Sequence, residues 1–219
     1  MIQFDRIRAC LFDLDGTLID SEGVWIEAQL AYLQRFGIVV SREELEAIVI
    51  GHAWQDIFAE FDRRWIRGRA TKLEMEAETT AFFYDFIKSH DIVIYSSLAL
   101  LRQLYSQGRR IGIVTGSTRE RVEQFVDSMG LRGIVDVMIA EGDFHRGKPA
   151  PDGYLAAIEA LGIPVNECLA FEDSQAGVSS AKAAGLFCVS LQRKGKALNG
   201  ADLVLNDLSE FEKIQWKRF

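Results

Sequence analysis

Cysteine is scarce in these 219 residues: Cys10, Cys168 and Cys188 are odd in number, and each falls in an apolar, strand-like segment. Small buried hydrophobes in a reducing compartment explain them more simply than disulfides or a metal site. Long apolar runs are missing too. No stretch approaches the length that spans a bilayer, and the opening residues, broken by Asp5, Arg6 and Arg8, form no secretory apolar region. A cytoplasmic protein with no membrane partner is expected. Basic charge is in deficit, with 25 Lys and Arg against 32 Asp and Glu and a net charge of −7. Nucleic-acid binding needs a basic face, so no nucleic-acid partner is expected. A small anionic ligand stays open, because a local cation cluster can sit inside an acidic protein. There is no internal repeat, low-complexity tract or Pro/Gly-rich linker.

What is present is an ordinary globular composition, 48% hydrophobic and 26% charged, long enough for one full core plus a small satellite. Six apolar runs read as strands: Ile7–Leu14, Arg110–Thr115, Val135–Ala140, Cys168–Phe171, Phe187–Leu191 and Asp202–Leu205. Several are nearly continuous in hydrophobicity, which suits strands covered on both faces. Helical patterns lie between most of them. Ser117–Met129 opens with Ser117 and Glu120 in capping-box spacing, Pro151–Leu161 stops at Gly162, and Gln175–Ala184 stops at Gly185. The alternation predicts an α/β fold with a doubly wound parallel sheet.

From about Ser21 to His90 that rhythm stops and only helical patterns remain. Glu22–Phe36 sets Trp25, Ala28, Tyr32 and Phe36 on one side, and further helices begin at Ser41 and Thr71, each with a Glu three residues on. Seventy residues is too long for one crossover. The expected organisation is an α/β core of residues 1–19 and 93–219 with a helical cap domain, 20–92, inserted.

Ligands of a parallel sheet bind outside the carboxyl ends of its strands. The first strand ends in Asp13-Leu14-Asp15-Gly16-Thr17, the second in Thr115-Gly116-Ser117, and the fourth in Glu172-Asp173-Ser174, with Gly147-Lys148-Pro149 just before it. Four carboxylates converging on one edge repel unless compensated. Mg²⁺ with oxygen ligands supplies that compensation, and Lys148 adds a point charge for phosphate and nucleophile. A carboxylate can attack phosphorus to give an aspartyl-phosphate, and a second carboxyl can donate and recover a proton. Asp13 and Asp15 have the spacing for this pair, with Gly16 letting the chain turn away.

Phe12-Asp13-Leu14-Asp15-Gly16-Thr17-Leu18 resembles the first motif of the haloacid dehalogenase superfamily. Thr115 resembles the second motif, Lys148 in Gly147-Lys148-Pro149 the third, and Glu172-Asp173-Ser174 the fourth, all in order. The resemblance covers essentially the whole chain, with a Rossmann-like core and a helical cap between the first two motifs. It implies Asp13 as nucleophile and metal ligand, and Asp15 as general acid and base that also offers a backbone carbonyl to Mg²⁺. It further implies Asp173 as metal ligand, with Glu172 beside it or behind it. Phosphate is expected on Thr115, Gly116, Ser117 and Lys148, though capping is the simpler role for Ser117. An aspartate at 15 points away from dehalogenation, since a halide leaves without protonation. The implied activity is Mg²⁺-dependent hydrolysis of a small phosphorylated metabolite, such as a sugar phosphate, by a monomer or weak homodimer.

A β-phosphoglucomutase-like mutase is the alternative, and a fold-retaining binding protein a third. The mutase pattern carries a histidine where this sequence has Trp25, and an arginine near Trp54. His52 is a candidate substrate contact from the cap, or a surface histidine. Trp25 and Trp54 suit packing better than ligand stacking. Arg63, Arg64, Arg67, Arg69 and Lys72 form either a solvated basic face or a steering patch. Gly142–Lys148 matches G-x-x-x-x-G-K, but Pro149 replaces the required Ser or Thr, so a nucleotide-binding loop is rejected.

Overall fold

The structure, a computed structural model, describes residues 4–49, 54–192 and 198–214. The chain divides into two compact units, Met1–Ile19 with Val93–Phe219, and Asp20–Ile92.

The first unit is built on six parallel strands: β1 (Ala9–Phe12), β2 (Arg110–Val114), β3 (Val135–Ile139), β4 (Cys168–Glu172), β5 (Phe187–Leu191) and β6 (Leu203–Leu205). Their order in the sheet is β3-β2-β1-β4-β5-β6. β1 is therefore central, and all four of its residues are buried, as its unbroken hydrophobicity requires. On one face Ala9 and Leu11 pack with Tyr154 and Ala157 of α7 (Asp152–Leu161) and Val178 and Ala181 of α8 (Gln175–Ala183). On the other, Phe12 stacks on Phe171 at 4.5 Å, and Phe171 meets Phe211 edge-on at 5.2 Å. α5 (Tyr95–Ser106) and α6 (Arg119–Ser128) complete the set. The three cysteines lie in β1, β4 and β5, buried and unbridged. Burial pushes the Cys10 and Cys188 thiols up to about 12 and Cys168 to about 11, which suits packing and not thiolate chemistry.

The second unit consists of helices α1 (Ser21–Gln34), α2 (Arg42–Val49), α3 (Trp54–Phe61) and α4 (Lys72–Ile87), with a π-helical turn over Asp62–Ile66. Its core joins Ile26, Leu33, Leu45, Ile57, Phe61 and Met75. α1 starts a residue early because Asp20 caps it, accepting from the Gly23 amide at 3.3 Å. Its buried residues are not the single stripe expected. Val24, Ile26 and Leu33 are buried along with Ala28 and Tyr32, while Phe36 lies past its end. A helix with neighbours on two sides buries two sides, and α1 packs on both α2 and α4. Trp25 stacks on Phe83 at 4.6 Å and lies 6.4 Å from Trp54. The basic run is largely spent locally: Arg63 and Arg64 pair with Glu60, and Arg69 donates to the carbonyls of Trp65 and Ile66. No described helix is long and apolar enough to cross a membrane.

Thr71 and Glu74 form the complete reciprocal capping box at the start of α4. Replacing Thr71→Ala is expected to cost about 1 kcal/mol, read from the midpoint of urea unfolding.

Candidate active site

The strand order reverses between β1 and β4, so the connections leaving these two paired strands part and open a crevice at their carboxyl ends. Phe12 pairs with Ile113 on one side and Phe171 on the other. The residues that follow, Asp13, Val114-Thr115 and Glu172-Asp173, must then emerge side by side. The loop between β3 and α7 brings Lys148 to the same edge.

Lys148 Nζ lies 2.5 Å from Asp13 Oδ1, 2.6 Å from Glu172 Oε1 and 3.1 Å from the Val114 carbonyl. Three acceptors take the three ammonium protons. Asp13 and Glu172 are 5% and 0% exposed. Burial pushes the Asp13 carboxyl well above its ordinary range, Lys148 draws it back, and Glu172, Asp173 and Asp15 push it up again. For Lys148 burial acts against the charge, yet Asp13 and Glu172 outweigh it and hold the ammonium protonated. Tyr154, wholly buried on α7, donates to Glu172 Oε1 at 2.7 Å. Its ring faces the Lys148 ammonium at 5.4 Å. Burial and the Glu172 charge raise the tyrosine above its usual range, so it stays a donor.

Asp15 points to other partners. Ser117 Oγ donates to its Oδ2 at 2.6 Å and Thr115 Oγ1 to the same oxygen at 3.2 Å, while Arg121 Nη2 lies 2.7 Å from Oδ1. Ser117 therefore does not cap α6, contrary to the capping-box reading. The helix begins at Arg119 after Thr118, neither Thr118 nor Ser117 caps it through a side chain, and the Ser117 hydroxyl is taken by Asp15. Gly116 is exposed between them. Arg121 was missed in the sequence. It stands four residues after Ser117, a spacing that by itself marks nothing, because the helix starts only at Arg119.

Asp13, Glu172 and Asp173 each bring one carboxylate oxygen within 4.8 Å of the others. Hard oxygen donors in that number fit a divalent cation such as Mg²⁺. Asp13 and Asp173 fit best as direct ligands, because Glu172 already serves Lys148 and Tyr154. Two glycines make room for the acids. A Cβ on Gly16, which has φ +81°, would lie 1.7 Å from Asp173 Oδ2, and one on Gly177 would lie 1.8 Å from Glu172 Oε2. Asp13, Asp15, Thr115, Ser117, Lys148, Glu172 and Asp173 thus share one strand edge, whereas His52 lies outside the described residues.

A family model described as haloacid dehalogenase-like hydrolase matches residues 7–185. The chain belongs to the haloacid dehalogenase-like hydrolases. It is 32% identical to validoxylamine A 7'-phosphate phosphatase of Streptomyces hygroscopicus subsp. limoneus, over 95% of this chain and 96% of that protein. It is 31% identical to hexitol phosphatase A of Escherichia coli, covering 94% and 93%. Among solved structures, CbbY from Rhodobacter sphaeroides in complex with phosphate superposes with a TM-score of 0.74 at 26% identity, over 94% of this chain and 96% of that one.

Gly177→Ala is expected to lose about 1–3 kcal/mol through overpacking against Glu172. Gly116→Ala, whose Cβ would meet nothing within 4 Å, should shift stability by less than about 0.5 kcal/mol. Equal urea midpoints for the two variants would contradict this account of Glu172.

Proposed function

We propose that this hydrolase is a Mg²⁺-dependent phosphatase of a small phosphorylated metabolite, acting through an aspartyl-phosphate on Asp13. The observation that carries the reading is the Asp13 carboxylate at the end of the central strand, held 2.5 Å from the Lys148 ammonium. An anionic nucleophile must approach an anionic phosphoryl group, and a fixed cation beside it offsets their repulsion. Mg²⁺, on Asp13, Asp173 and the Asp15 carbonyl, would supply further positive charge to nucleophile and phosphoryl oxygens when bound. Thr115 and Ser117, with the Gly116 backbone, would receive the phosphoryl oxygens. Asp15 would protonate the leaving oxygen and then take a proton from the attacking water. Glu172 anchors Lys148 and supports the metal site from behind.

Two relatives bear phosphatase names, one for validoxylamine A 7'-phosphate and one for hexitols, which supports a phosphorylated sugar or a similar compound here. Residues 20–92 are proposed to be the cap that selects it. Trp25, where the mutase pattern has histidine, stacks on Phe83, and this favours phosphatase over mutase. A cytoplasmic setting fits the three buried, unbridged cysteines, and the chain is proposed to act as a monomer or weak homodimer.

Release of phosphate from p-nitrophenyl phosphate should require Mg²⁺, stop with EDTA, and disappear in Asp13→Asn. Full activity in that variant, or indifference to EDTA, would sink the mechanism. Glucose 1-phosphate primed with the bisphosphate should yield inorganic phosphate and no glucose 6-phosphate.

A further inference from the structure

Arg121 belongs to none of the four motifs, yet it holds the side chain that the proposed reaction uses as acid and base. It sits in the first turn of α6 with its side chain 14% exposed. Nη2 lies 2.7 Å from Asp15 Oδ1, and Nη1 donates to Ser117 Oγ at 3.2 Å. Ser117 and Thr115 meet the other carboxyl oxygen, Oδ2. The two oxygens of Asp15 therefore have different kinds of partner: a guanidinium on one, two hydroxyls on the other.

These partners differ in how easily they are exchanged. Thr115 and Ser117 are the hydroxyls proposed to receive the phosphoryl group, so substrate binding takes them from Oδ2 and frees that oxygen. Drawing Asp15 away from Arg121 would instead separate opposite charges, which costs more than giving up a neutral hydroxyl. We propose that Arg121 is a positioning residue that keeps hold of Oδ1 through turnover and so makes Oδ2 the oxygen that gives and takes the proton. The inference rests on the proposed role of Asp15.

The steps balance. An Asp13 oxygen bonds to phosphorus, the bond from phosphorus to the leaving oxygen breaks, and that oxygen takes the proton from Asp15 Oδ2. The carboxylate left behind faces the Arg121 cation across Oδ1. Water then bonds to phosphorus, the bond from phosphorus to Asp13 breaks, and the water proton returns to Oδ2. Inorganic phosphate departs and no other reactant is consumed.

Because Arg121 acts through Asp15, its removal matters most where the leaving oxygen most needs a proton. The test is kcat/KM across 4-nitrophenyl phosphate, phenyl phosphate and β-glycerophosphate in the Mg²⁺-loaded enzyme. This constant spans binding through phosphoryl transfer to Asp13. In Arg121→Ala the β-glycerophosphate value should fall about tenfold or more beyond the fall for 4-nitrophenyl phosphate. Asp15→Asn should show the same bias more steeply, and Arg121→Lys, which keeps the charge, should lie between it and wild type. Should the alanine variant not fold, the lysine variant carries the test by its intermediate bias. Losses equal across the three esters, or a wild-type pattern in both Arg121 variants, would overturn the inference. An Asp15→Asn enzyme without leaving-group bias would instead remove the role of Asp15, and the inference with it.

Discussion

One buried ammonium serves two carboxylates, and the arrangement of the core follows from that shared charge. Asp13 and Glu172 have almost no contact with solvent, and Lys148 between them supplies the positive charge that two enclosed carboxyl groups call for. The parallel order β2-β1-β4 makes the pairing possible, because it sets the ends of two non-consecutive strands next to each other. Tyr154 donates to the same Glu172 oxygen, Oε1, that Lys148 meets, and the bare Cα of Gly177 leaves the space that Glu172 fills. The hydrophobic core and the charged edge are thus one construction: α7 contributes a ring to the first and its hydroxyl to the second.

The same strand end also separates two acids that stand two residues apart. Asp13 turns into the buried cluster on Lys148, while Asp15 turns to Arg121, Ser117 and Thr115. Each carboxylate has its own cation. Different surroundings for neighbouring acids are what a reaction with one nucleophile and one proton carrier requires. Asp173 completes the edge where Gly16 leaves it room, and supplies the third oxygen of a set suited to a hard cation.

Much of the core was legible in the sequence because its signals are local and redundant. Apolar runs marked all six strands to within a few residues, and the polar residues just beyond three of them marked the edge where chemistry collects. Helix boundaries shifted where caps decided them: Asp20 drew α1 back by one residue, and Ser117 gave its hydroxyl to Asp15 instead of to the helix. The buried face of α1 was misread because a period in sequence cannot say how many neighbours a helix has. Tyr154 and Arg121 were not legible at all. Each looks like an ordinary helix residue, and only the meeting of α7 with β4 and of α6 with the β1 loop gives it a partner.

The proposed mechanism requires Asp13 to carry the phosphoryl group. The most direct measurement is a rapid acid quench during turnover of 4-nitrophenyl phosphate with Mg²⁺, followed by peptide mass mapping. A phosphoryl group on the peptide containing Asp13, absent when quenched after substrate is exhausted, is the predicted result. Steady turnover with Asp13 unmodified, or with the phosphoryl group on another residue, would contradict it.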